Sequence, residues 1–99
     1  MPLTRFAMLI MAPGYDPEMH KIVLSSPSFS TSVVCVSNFE QAQNLAIALV
    51  NDGVQLIELC GGFSPLEAEQ LHTCVGGRVP IGVVRYSPEE QDRLSVLFK

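Results

Sequence analysis

At 99 residues, with 47% hydrophobic and 16% charged side chains, the chain suits one globular domain, 1–99, and is too apolar to stay disordered. Six basic against ten acidic residues give a net charge of −4, and no segment gathers Lys or Arg into a stripe, which argues against nucleic acid as a partner. A core of this size is thin and gains from self-association, so a homo-oligomer is expected.

The N-terminus, residues 1–12, is apolar but short and broken by Arg5, with neither a cleavage site nor a stop-transfer pattern after it; it reads as a strand, with its apolar run over 5–12, rather than a signal or membrane span. Asp16-Pro17 then has the form of a helix start, cap followed by proline, and predicts a short first helix over 17–24. The polar stretch 25–30 follows, and Val33-Val34-Cys35-Val36 reads as the second strand.

Asn38 with Gln41 has the spacing of a capping box and opens a second helix. Its inward face is Phe39, Ala42, Leu45, Ala46, Leu49 and Val50, and Gly53 supplies the left-handed stop. Residues 54–60 form the third strand. Ser64 with Glu67 caps a third helix over 65–75, with Ala68, Leu71, Cys74 and Val75 inward. Residues 79–86 form the fourth strand, Pro80 standing at its start. Ser87 with Glu90 caps a last helix, 88–98, expected to bury Leu94, Leu97 and Phe98.

Four caps, each about one strand and one helix apart, have the rhythm of four successive βα units. The expected class is α/β, with a mostly parallel sheet flanked by helices. An open, doubly wound sheet covered on both faces is preferred; the alternative is a half βα-barrel completed by dimerisation. Three cysteines without a CxxC pair fit a reducing compartment, which makes the cytoplasm the expected location.

Ligands of parallel α/β folds bind at the carboxyl ends of the strands, and here those ends are the polar ones. Glu58 lies near the end of an apolar strand, and Arg85 takes the corresponding place in the next one. The pair reads either as a buried ion pair fixing register or as an anion-binding Arg85 beside a proton-transferring Glu58.

Gly61-Gly62, followed by the helix start at Ser64, form either a tight turn or an anion cradle. Cys60 beside them is a small buried apolar group or, alternatively, a nucleophile. His20 and Tyr86 are candidate proton donors. Tyr15, Asp16, Met11 and Phe63 are candidate pocket walls, with Asp16 most simply a helix cap. Cys35 and Cys74 read as structural, and His72 as a surface residue. No cofactor motif is present: GxGxxG and GxxxxGK[ST] are both missing, and the two histidines have no acidic neighbours at metal-ligand spacing.

Three segments together, Ala12-Pro13-Gly14-Tyr15-Asp16-Pro17, residues 53–63 and residues 79–86, resemble a small prokaryotic family catalogued as a domain of unknown function, family 6506. The resemblance covers nearly the whole chain. It implies a stand-alone, one-domain protein whose characteristic segments are these strand ends, and it implies no reaction.

Two functions fit the residues. One is a small cofactor-independent enzyme, an isomerase or lyase, working by acid/base chemistry on a small anionic metabolite at the strand ends. Glu58, Cys60, His20 and Tyr86 would carry the chemistry, and Arg85 with the Gly61-Gly62 turn would hold the anion. The alternative is a non-catalytic oligomer that binds a small ligand or a protein partner. Neither function requires a membrane.

Overall fold

In the computed structural model, which describes residues 2–98, burial alternates along the first strand, β1 (Arg5–Met11): Ala7 and Leu9 are fully buried, while Phe6, Met8 and Ile10 are half-buried. That period of two belongs to a strand covered on one face. The same alternation marks β3 (Ser30–Val36), where Val34 and Val36 are buried, and β4 (Leu56–Leu59), where Ile57 and Leu59 are buried. With β2 (Lys21–Ser25) and β5 (Ile81–Val83) these strands form one five-stranded sheet in the order β2-β3-β1-β4-β5. All pairings are parallel except β2 with β3.

Three helices complete the fold: α1 (Phe39–Asn51), α2 (Pro65–Cys74) and α3 (Pro88–Val96). Each begins at the expected cap. Asn38 accepts the Gln41 N–H at 2.9 Å, and Ser64 and Glu67 close a reciprocal box at 2.8 and 3.1 Å. Ser87 accepts the Glu90 N–H at 3.4 Å. Gly53 ends the α1 region with φ +102, a conformation that a side chain would strain.

The fold is mixed α/β and mostly parallel, as expected, but it departs from four βα units at residues 17–24. The helix predicted there is the edge strand β2, which forms a hairpin with β3. Asp16 caps only a single turn: its carboxylate accepts the Glu18 N–H at 2.9 Å and its carbonyl accepts the N–H groups of Met19 and His20. A helix of eight residues is marginal without packing to hold it, and the β-branched pair Ile22-Val23 favours the extended chain. Ser26 closes the hairpin, its N–H donating to the Phe29 carbonyl at 2.8 Å.

The sheet is also not doubly wound. The helical crossovers β3-α1-β4 and β4-α2-β5 both step across the sheet in the same direction, so right-handed connections put α1 and α2 on the same face. Ala42, Ala46 and Val50 of α1 and Leu71 of α2 pack there against Leu9, Val36, Ile57 and Leu59. The last helix departs from expectation as well. Leu94 is half-buried, but Leu97 and Phe98 are 76% and 81% exposed.

Candidate functional site

The carboxyl ends of the parallel strands divide the candidate residues into two groups. At the β1 end, Tyr15, Asp16 and His20 interact with one another. The Tyr15 and His20 rings meet edge to face, with centroids 5.2 Å apart, and the Asp16 N–H donates to His20 Nδ1 at 2.9 Å. The His20 carbonyl accepts the Cys35 N–H at 2.9 Å, which ties this loop to β3. His20 therefore lies just before a strand, not in the first turn of a helix, because that helix does not form.

The second group gathers beyond β4 and β5. Cys60 Sγ accepts the Met11 N–H at 3.3 Å and the Gly62 N–H at 3.4 Å, which fastens the Cys60-Gly61-Gly62 turn to the end of β1. A Cβ at Gly62 would come within 2.9 Å of the Met11 carbonyl oxygen. A Cβ at Gly61 would stand 3.3 Å from the Tyr86 ring. Neither glycine has positive φ, so what matters at both is space and not backbone freedom: Gly62 is required by the fixed Met11 carbonyl, whereas Gly61 faces a ring that can shift.

These contacts alter the expected anion cradle. The Gly62 N–H is directed at the Cys60 sulfur, and the N-terminus of α2 is occupied by its own capping box, with the Glu67 carboxylate on the Ser64 N–H. Among the described residues that line the cleft at this end of the sheet, the cationic group is Arg85.

Arg85 does not pair with Glu58. The β4–β5 register sets Glu58 opposite Gly82, and Arg85 comes three residues later, beyond the end of β5, where it lies on the α2 side. Glu58 is exposed on the sheet face that α1 and α2 leave uncovered. Arg85 instead lies along the groove between α2 and β5, a space of about 540 Å³ whose walls include Glu69 and His72. The expectation of a buried pair assumed a register in which the two strand ends are level.

Arg85 also borders a cleft of about 390 Å³ at the strand ends, lined by Gly61, Phe63, Tyr86, Leu94 and Phe98 among others. No lining residue is acidic. Five of the walls are not among the expected site residues: Pro65 and Val84, which flank the strand ends, and Gln91, Leu94 and Phe98. The last three share a helical period. Their spacing of three and then four is the signature of one helical face and was readable in the sequence.

Among the described residues, no group of three His, Cys, Asp or Glu is placed to hold a metal ion, and no helix is long and apolar enough to cross a membrane. The three segments that carried the resemblance now have places: the turn after β1, the strand β4 with its glycine turn, and the strand β5 with Arg85 and Tyr86. Residues 4–99 match the model of a family described as "Family of unknown function (DUF6506)". The chain belongs to that family. Neither the curated proteins nor the solved structures contain a match to it. The family match spans every element of the fold and both groups of strand-end residues.

Proposed function

We propose that this protein binds a small anionic metabolite in the cleft at the ends of β4 and β5, as a non-catalytic ligand-binding protein. One observation carries the reading: Arg85 forms no ion pair or side-chain hydrogen bond with any described residue, and it borders a cleft whose described lining holds no carboxylate. An unpaired guanidinium presents five donors in a planar fork suited to carboxylate or phosphate. Phe63, Leu94 and Phe98 supply apolar wall, and Tyr86 a hydroxyl, the mixture expected of a small-molecule site. A volume of about 390 Å³ admits a metabolite but not a dinucleotide with room to spare.

Acid/base turnover as an isomerase or lyase is the weaker reading, because Glu58 faces away from this cleft and Tyr86 alone would have to move the proton. The test is native mass spectrometry of freshly purified protein, followed by amide-shift titration with phosphate and with malonate. The expected result is a bound anion or shifts centred on Gly61, Arg85 and Tyr86, both lost in Arg85→Met. Unchanged binding in that variant, or shifts confined to the Tyr15–His20 loop, would overturn the site.

A further inference from the structure

The face of the sheet opposite α1 and α2 is apolar and carries neither of them. Register assigns its residues: Phe6, Met8 and Ile10 from the central strand β1, Val33 from β3, and Ile22 and Leu24 from β2. Ile22 and Leu24 are 55% and 58% exposed. The strands place one charged side chain on this face, Glu58, which stands between Met8 of β1 and Gly82 of β5 and so borders the β2-β3-β1 stripe. Sheets with mostly parallel strands are ordinarily covered on both faces.

The chain exposes more surface than a compact monomer should, an excess that this face shares with α3, which buries no residue. The chain exposes 6431 Å², whereas a compact monomer of 10.8 kDa exposes roughly 5,500 Å², an excess of about 900 Å². One partner in a standard protein interface contributes about 800 Å². The radius of gyration, 14.0 Å, likewise exceeds the roughly 13 Å of a compact chain of this length.

We propose that this open face is a homodimer interface, with a second copy of the chain seated on it face to face about a two-fold axis. The β2-β3-β1 stripe is largely apolar and carries no charged side chain of its own, so it is complementary to itself, which a two-fold contact requires. The inference rests on β1, β2 and β3 and is independent of the cleft at the ends of β4 and β5.

The parity of β2 provides the test. Ile22 and Leu24 point into the face, whereas Val23, 61% exposed, points to the helix side of the same strand. Sedimentation velocity at micromolar concentration should give twice the 10.8 kDa chain mass for the wild type and for Val23→Glu. The double variant Ile22→Glu, Leu24→Glu should sediment at half that mass with an unchanged far-ultraviolet circular dichroism spectrum.

Cys35, on the same face, gives a second readout that needs no substitution. Its reaction with N-ethylmaleimide should be slow in concentrated wild type and accelerate on dilution. A monomeric wild type, a dimer that survives the double variant, or Cys35 labelling that does not change with dilution would overturn the proposal. Equal loss of the dimer in Val23→Glu would overturn it too, by pointing to edge-to-edge pairing of β2.

Discussion

Glu58 stands opposite Gly82 in the β4–β5 ladder, and Arg85, three residues beyond, lies with α2 on the other side of the sheet. Two opposite charges in neighbouring strands thus make no ion pair with each other. A double-mutant cycle with Glu58→Gln and Arg85→Met should therefore give a coupling energy within about 0.5 kcal/mol of zero. Urea unfolding of the four proteins measures it, and a coupling above about 1 kcal/mol would mean that the charges meet in solution.

Gly62 lies against the carbonyl of Met11, backbone against a missing side chain. Gly62→Ala must push β1 and the turn apart and should cost about 1–3 kcal/mol of stability by urea denaturation. Gly61→Ala meets only the Tyr86 ring, which can shift. It should cost less, and its effect should be read in ligand binding at the cleft instead.

The capping box of α2 satisfies two backbone donors reciprocally, and α2 carries buried Leu71 into the core. Ser64→Ala should cost about 0.5–2 kcal/mol of global stability. Ser87→Ala removes a longer cap bond, 3.4 Å, from a helix that has no buried residue. Global unfolding should hardly register that change. Hydrogen exchange should show α3 amides exchanging through local opening well below the global free energy, and faster still in Ser87→Ala.

Leu9 is fully buried in the central strand, between the sheet and the two covering helices. Leu9→Ala should cost about 2–5 kcal/mol, the range for truncating a core leucine without collapse of the cavity. Leu97→Ala, at the 76% exposed residue that caps the C-terminus of α3, should stay within about 0.5 kcal/mol of wild type. Comparable losses from the two would mean that α3 is packed in solution as it is not here.

Much of the architecture was legible in order along the chain. Asn38, Ser64 and Ser87 each cap the helix expected of them, and the periodic pattern's inward residues of α1 and α2 pack into the core, except Cys74, which is half-buried outside it. Residues 17–24 were misread because Asp16-Pro17 starts a helical turn as well as it starts a helix. The competing evidence lay just beyond, in Ile22-Val23 and the Ser26-Pro27-Ser28 turn. The strand-end residues were found, but as one site; the fold splits them, leaving Tyr15, Asp16 and His20 at the β1 end and Arg85 with Tyr86 at the β4–β5 end.

The sequence by itself determined what is settled within a few residues: three caps, the left-handed stop at Gly53, the apolar strands and the glycine turn after β4. Each depends on backbone groups that find partners within one turn of chain. Only the tertiary structure decided that α1 and α2 share one face, that Glu58 faces Gly82, and that an apolar face of the sheet stays open. Those outcomes depend on crossover direction and strand register, which join residues tens of positions apart, and a shift of one residue in register reverses the side on which every side chain falls.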